Sequence, residues 1–598
     1  MSGTILTTSG INSLVSAYQE EQSNALITPL QNLESEYQNL SSAYSTAVGK
    51  LNTFITGLTG FTATDNSSVF AAITAQSSNT NFVTATADNT ASIGNYAIRV
   101  EQLAQNDIAE SQSLTSSTAN ATTGTQTFQI VTGSPTGNLT SNVSVTLGTG
   151  ETNQTVMQKI AAAINSNQAV VTSSSLSPSS LYAGAAGTLS FNIGGTVTTI
   201  SDNAGGSNSE TYDQLMNELV TNINANVSGV TAQKITDPNN PSNEMLQITV
   251  NDPTKSISIS DSSGTIAADM GITTTNLIGA SGVVTASSFS PSTGLSQLSI
   301  SSKNTGLDNI IKNISDTGTG TALSSINFNL STTRTAYDQS TNTAGYVYAD
   351  TTLAGNQLNA KLNFNGVEVQ RDTNKISDLA TGVTFNLNSV MQTTDPIATV
   401  SVNSDVNSIT NQINTFITNF NAAYTYLKSS SAVSTTSGWG VLAGDINAQS
   451  ILNVMTQDSV SPVSGLSSNV LNSLSSIGIS FDPTNGLSVS NSSLLTQSLT
   501  NNLSQVKDIF ASTNGIANTL YNSLNPFVGS AGLLTIQQSS FDNNVQNYSN
   551  MISTRQAQIN TQADNLRTQY EKLQAQLITL TNTYQLYFGT APTDYFNS

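Results

Sequence analysis

Five hundred and ninety-eight residues exceed what one hydrophobic core organises, so the chain is expected to build several domains. Only 9% of its residues are charged, and 36 acids against 16 bases leave a net charge of −20, which argues against a nucleic-acid partner and against an anionic membrane surface. Cysteine and histidine are absent, which removes thiol nucleophiles, imidazole bases, disulfides and thiolate or imidazole metal sites together.

Residues Met1 to Ser16 carry neither a basic nor an apolar signal-peptide region, and no stretch approaches the roughly 18 apolar residues of a membrane span. Neither a cleaved signal nor an anchor is expected, and an exported chain of this kind relies on an uncleaved N-terminus. From Leu26 the apolar positions Leu30, Leu33, Tyr37, Leu40, Tyr44, Ala47, Leu51, Phe54 and Leu58 alternate by four and three. That heptad seam predicts a helix roughly 50 Å long, which needs partner helices. Residues 1 to 25, with Pro29 shortly after them, and 585 to 598, with Tyr587, Phe588, Tyr595 and Phe596, have weaker patterns and are expected to order only against a partner.

Between about 75 and 405 the pattern changes to alternating strands with Gly, Asn, Asp and Pro punctuation, as in Tyr96 to Val100 and Leu246 to Val250. Two copies of a strand-strand-helix-strand unit are visible. Residues 127–130, 143–147, the helical run Val156 to Asn165 and Val170 to Thr172 form one, and residues 189–193, 197–200, 212–224 and 227–232 form the other. Both helices end in Ile-Asn, and a degenerate third copy is expected near Leu307 to Ile314. Further on, Ile409, Ile413, Phe416, Phe420, Ala423 and Leu427 form a second helical seam. A third runs from Phe541 through Val545, Tyr548, Ile552, Ile559, Leu566, Tyr570, Leu573, Leu577, Leu580 and Tyr584 to Tyr587, interrupted by Arg555 and Gln562.

The expected fold is therefore α+β and multidomain, with long N- and C-terminal helices forming a coiled-coil or helical-bundle leg and β-rich head domains inserted between them. The expected divisions are a leg from 1–40 with 560–598, a helical bundle from 41–75 completed by 406–559, a β-rich head from 76–120 completed by about 346–405, and an enlarged outer head over 121–345.

Chemistry-bearing motifs are scarce. Gly148-Thr149-Gly150 lacks the third glycine of a dinucleotide loop, Asp202 to Gly206 lacks the later ligands of a calcium loop, and both read as turns. Serine-lysine spacings and the sequon at Asn66 are uninformative in so Ser-rich a chain. No catalytic, cofactor-binding or metal-binding residue is assigned, no cofactor is expected, and the chain is not expected to be an enzyme; a glycosidase using two carboxylates is the reading kept against that.

Several runs nevertheless resemble one family across nearly the whole chain. Ser9 to Val15, including Leu14 and Val15, followed by Pro29-Leu30, is similar to the N-terminal segment of the flagellar filament-capping proteins, also called hook-associated protein 2, although the usual Gly-Ser-Gly-Leu-Asp form is degraded. Gly94, Tyr96, Ile98, Val100, Leu103, Ala104 and Gln105 match that family's Gly-x-Tyr-x-Ile-x-Val-x-x-Leu-Ala-Gln run. Phe364 to Val367, Asp378 to Val383 with Gly382, Leu442-Ala443-Gly444-Asp445 and Ile477-Gly478-Ile479 continuing to Leu487 follow in the family's order. Each of these shapes a turn or strand in its plainest reading.

The resemblance implies a secreted, non-enzymatic protein at the tip of the bacterial flagellar filament, a ring-shaped homo-oligomer, pentameric in the family, that promotes flagellin polymerisation and limits the escape of exported monomers. Its leg or oligomer contacts would be Leu26, Leu30, Leu33, Tyr37, Leu566, Tyr570, Leu573, Leu577, Leu580 and Tyr584. Partners implied are the chain itself, flagellin and an export chaperone, with no nucleic acid and no membrane. The rival readings are another axial protein, flagellin or a junction protein, and a tip-displayed adhesin with a host or surface receptor, for which Trp439 and scattered tyrosines are the candidate stacking groups.

Overall fold

The computed structural model describes residues 7–201, 210–352, 355–434, 438–467 and 469–589. The turn at 202–206 and the aromatic residues Tyr595 and Phe596 lie outside the described residues. The chain divides into two compact units, one built from residues up to 74, 88–90 and those from 403 on, the other from 75–87 and 91–402.

The first unit is helical. Helix α1 spans Thr8–Leu26 and α2 spans Thr28–Thr62. Helices Val406–Ser430, Ile446–Val460 and Ile516–Val528 follow, and a terminal helix of 56 residues runs Leu533–Phe588. The four-three spacing of Tyr44, Ala47, Leu51, Phe54 and Leu58 gathers these side chains onto one face, which is buried against Ile409, Ile413, Phe416 and Phe420. Ring contacts lock the seam, with Phe54 at 5.5 Å from Phe416 and 5.6 Å from Phe420, and Phe61 at 5.2 Å from Phe510.

The expected continuous helix from Leu26 is corrected at its start. Pro29 lies in the first turn of α2, where its missing N–H costs nothing but its ring would collide with the carbonyl four residues back if α1 simply continued. The chain breaks at Ile27, which is 2% exposed, while Leu26 ends α1 at 42% exposed. The burial phase therefore slips by one residue there.

The second unit is β-rich. One five-stranded sheet contains Ala398–Ser404, Gly94–Gln102, Ala360–Phe364 and Val367–Arg371 in that spatial order, with Ile73–Ser77 at its edge. A three-stranded sheet pairs Val83–Ala87 and Lys375–Ala380 with Val383–Leu387.

The remainder holds two modules of one design, each with a helix between two hairpins. In the first, the hairpin Gly124–Ser134 with Gly137–Leu147 precedes α3 (Asn153–Ser166), and the hairpin Val284–Phe289 with Leu295–Thr305 completes it. In the second, Thr188–Ile193 with Thr196–Ser201 precedes α4 (Tyr212–Asn226), and Val230–Thr236 with Glu244–Val250 follows. Each has its own apolar core, one around Phe128, Ile130, Met157 and Ile160 and the other around Phe191, Leu215, Leu219 and Ile248.

Two expectations about the repeat are corrected. The strand Val170–Thr172, read from the sequence as the end of the first copy, pairs with Gln247 to Thr249 of the second. The expected third copy near Leu307 to Ile314 has no helix of that kind: a short 3₁₀ turn, Leu307–Asn309, leads into the strand Ile311–Asp316, which is the edge partner of Gly124–Ser134.

Candidate functional site

The terminal helix positions the candidate leg residues. Asn12 meets Arg567 at 2.8 Å, Tyr18 donates to Gln562 at 2.7 Å and Gln19 donates to Asn560 at 3.3 Å, so rising numbers on α1 face falling numbers on the terminal helix. The antiparallel track continues along α2, where Tyr37 stacks on Tyr548 at 5.6 Å, Ser41 donates to Asp542, and Tyr44 meets Phe541 edge-on at 5.3 Å.

The two halves of this track differ in chemistry. Along α2 it is aromatic and merges with the bundle core. Along α1 it is a small cluster of Ile11, Val15 and Ala563, flanked by Tyr18 and Tyr570 and closed by the polar pairs above. Gln562, which interrupts the apolar alternation, is thus the acceptor for Tyr18. Of residues 1 to 25, expected to order only against a partner, those from Thr8 on belong to α1, which packs on the chain's own terminal helix.

The predicted contact residues separate accordingly. Tyr570 packs on the α1 cluster, and Leu30, Tyr37, Leu566 and Leu577 are half-buried. Leu26, Leu33 and Tyr584 are exposed, as are Leu573 at 43% and Leu580 at 64%. Beyond them Leu586 and Tyr587 reach 82% and 76% exposure on the last turns of the same helix. The sequence reading missed Ile11, Ile27 and Ala563. Ile11 and Ile27 could have been found by giving the residues before Pro29 a phase of their own, whereas Ala563 is too small to mark a face.

The motif residues lie in strands, turns and a helix cap. Val100 is buried in its strand, and the Tyr96 ring stacks on Phe364 at 5.6 Å and meets Phe385 edge-on at the same distance. Leu103 is half-buried, Ala104 exchanges two hydrogen bonds with the Asn374 side chain at 2.7 and 2.9 Å, and Gln105 bonds Leu358 and Tyr348. Gly94 opens the same strand. Asn365 and Gly366 both adopt positive φ, 52° and 89°, which a two-residue turn between twisted strands requires. Gly382 and Gly444 also turn the chain through positive φ. Gly478, at φ 85°, has no room for a Cβ, which would meet the Asn491 carbonyl at 2.4 Å.

Leu442 is buried, and Asp445 has two tasks. Its Oδ1 accepts from the Ala448 N–H at 2.8 Å and caps the helix Ile446–Val460, while its Oδ2 accepts from the Tyr44 hydroxyl and ties α2 to that helix. Burial first, and the neighbouring Asp445 second, push the Tyr44 phenol well above its ordinary value.

Among the described residues no group of three or more metal-ligating side chains comes together, and no helix is long and apolar enough to cross a membrane. Trp439 is 76% exposed on a short hairpin, Val433–Ser434 with Gly438–Trp439.

Comparison with known proteins places this architecture. The family model described as the N-terminus of flagellar hook-associated protein 2 matches residues 5–107, and the one described as its C-terminus matches 358–583. No curated protein matches the chain. Among solved structures, the D1-D2-D3 domains of the flagellar cap protein FliD from Escherichia coli are 21% identical, with 84% of this chain and 99% of that one covered at a TM-score of 0.45. FliD (HAP2) from Pseudomonas aeruginosa is 17% identical over 59% of this chain and 98% of its own, at a TM-score of 0.25. The two family models together cover more than half of the residues and bracket the two modules, and the chain belongs to the flagellar hook-associated protein 2 family.

Proposed function

We propose that the chain caps the distal tip of the bacterial flagellar filament, associating with copies of itself and with flagellin, promoting flagellin polymerisation and holding back exported monomers. Family membership carries the cap function and the tip location. The observation that carries the mechanism is the end of the terminal helix, where Leu573, Leu580, Leu586 and Tyr587 remain exposed past the stretch that α1 covers.

Exposed apolar side chains at helical spacing favour burial against another helix, at roughly 1.5–3 kcal/mol for each large side chain. In this reading the leg docks through that surface on neighbouring copies and on flagellin helices, and the contacts remake as each subunit is added. The β-rich head forms the plate over the filament end. The leg and head divisions expected from the sequence, a pentameric ring and an export chaperone belong to the same proposal. Cap action of this kind needs no bond-making chemistry, consistent with a structural role.

The experiment is deletion of the gene in the source organism, with flagellin measured in the medium and in attached filaments. Flagellin spilling into the medium, and filaments restored by added purified protein, is the expected result. Filaments of normal length without the gene would sink the reading. Leu580→Asp adds a sharper test, because a residue 64% exposed in the single chain tolerates the change without unfolding. That variant is expected to melt like the parent yet fail to restore filaments.

A further inference from the structure

A cavity of about 390 Å³ opens at one end of the first module, within the roughly 300–1,000 Å³ range of small-molecule sites. Its lining includes Thr132, Leu139, Ile278, Val283, Lys303 and Asn309. The floor is unusual. Thr132 is 2% exposed and its hydroxyl has no hydrogen-bond partner among the described residues, and the same holds for Ser141 at 0%.

Register places these two hydroxyls together. Thr132 pairs with Leu139 and Ile130 with Ser141, so both point to the hairpin face that carries Phe128 and Val143 into the core. Two desolvated hydroxyls without partners are costly in a native protein, and one of them lines an open cavity. A polar group of an occupant would satisfy it.

The rim supplies charge. Lys303 is exposed there and donates one hydrogen bond to the Ser281 carbonyl, leaving two donors on its ammonium. Two carboxylates flank the lining in sequence, Asp252, which accepts from the N–H and hydroxyl of Thr254, and Asp308, next to Asn309. Lys303 is the base of this lining, in a chain with 16 bases among 598 residues. The walls between rim and floor are aliphatic, and no aromatic ring offers a stacking platform for a sugar.

We propose that this cavity binds a small organic carboxylate bearing an aliphatic body and a hydroxyl group. The carboxylate pairs with Lys303, the body lies against Leu139, Ile278 and Val283, and the hydroxyl bonds Thr132. The inference is independent of tip attachment.

The test is calorimetric titration of the purified full-length protein with 3-hydroxybutyrate, 3-hydroxyhexanoate and 3-hydroxyoctanoate, and with the matching neutral amides. At least one acid is expected to bind saturably at one site, about tenfold or more tighter than its amide, because a charge-assisted hydrogen bond is lost. Lys303→Gln and Thr132→Val are each expected to weaken binding by about tenfold while leaving the urea midpoint near that of the parent. Should Thr132→Val fail to fold, Lys303→Gln at the exposed rim still decides. Absence of saturable binding by all three acids, equal binding of acid and amide, or binding unchanged in Lys303→Gln overturns the proposal.

Discussion

Asn165 closes a two-bond ring with Ala286, 121 residues further along the chain: its Nδ2 donates to the Ala286 carbonyl at 2.8 Å and its Oδ1 accepts from the Ala286 N–H at 2.9 Å. Asn224 makes the same ring with Ala232, at 2.8 Å in both directions, only eight residues away. In both modules the side-chain amide takes the place of a strand rung and fixes the helix end to the following hairpin. The difference in span is the second module, which interrupts the first between its helix and its second hairpin. The two ends of that interruption touch, since Asn167 accepts from the Ala280 N–H at 2.7 Å.

Removal of residues 168–279, with Asn167 joined directly to Ala280, is therefore expected to leave the first module folded. A cooperative urea transition for the shortened protein checks this; a broad, non-cooperative one would show that the modules share a core. Asn165→Ala in the full chain is expected to cost roughly 1–3 kcal/mol, because it strips two backbone groups of their partner.

The second prediction concerns Arg334 and Asp107. Two parallel hydrogen bonds of 2.9 and 2.7 Å join them with side-chain exposures of 6% and 0%, and the guanidinium also bonds the Ile311 and Tyr348 carbonyls and lies 4.0 Å from the Tyr346 ring centre. One ion pair thus gathers four segments of the unit. Asp107→Ala leaves a buried guanidinium uncompensated and is expected to cost about 3–5 kcal/mol, whereas the double change Asp107→Leu with Arg334→Met recovers most of that. Urea unfolding of the single and double variants decides, and a single-variant loss below about 1 kcal/mol would refute it.

How far the sequence could be read depends on how local the cause is. The α2 seam from Tyr44 to Leu58 was legible because one helical period holds throughout. Ile27 was not, since Pro29 resets the phase and hands the buried position from Leu26 to its neighbour. The repeat was legible in its Ile-Asn helix ends, yet its boundaries were not. The Val-Thr-Ala run at 284–286 matches the one at 230–232, but proximity in sequence favoured Val170. Arg334 and Asp107 lie 227 residues apart, and no local pattern joins them. For the leg, apolar periodicity marked the residues but could not tell which of them α1 covers.

Acid sensitivity follows from a recurring turn. Asp65, Asp88, Asp252, Asp338 and Asp350 each accept, through Oδ1, both the backbone N–H and the hydroxyl of the Ser or Thr two residues on. The hydroxyl bond is the first cause holding these carboxyls below the ordinary value of 3.8. A lowered folded-state value means fewer protons bound when folded. The contribution is full above the ordinary value and is lost as pH falls below it. Glu110 acts in the opposite sense, because burial raises it above 4.5 despite the hydroxyl of Ser299, so its ionisation weakens the fold as pH rises through that value. Glu110→Gln is expected to gain stability over the parent at about pH 7 and to lose that advantage on acidification. Urea midpoints measured between about pH 4 and pH 7 check this, and a constant difference across that range would refute it.

The last prediction separates α1 from the bundle. Its buried side chains are Ile11 and Val15, packed on Ala563 in a cluster of their own, whereas the core that begins at Ala43 continues through Phe54, Phe416 and Phe510 without them. A carboxylate at Val15 would be desolvated without a partner, at a cost above the roughly 1.5–3 kcal/mol that burying the side chain supplies. Val15→Asp is therefore expected to release Thr8–Leu26 from the terminal helix while Val406–Ser430 and the second half of α2 keep their packing. Hydrogen exchange reads this directly: amides of residues 8–26 lose protection and those of 43–61 retain it. Protection lost in both stretches together would mean that α1 and the bundle fold as one cooperative block, and the polar pairs at Asn12, Tyr18 and Gln19 would then be integral to it.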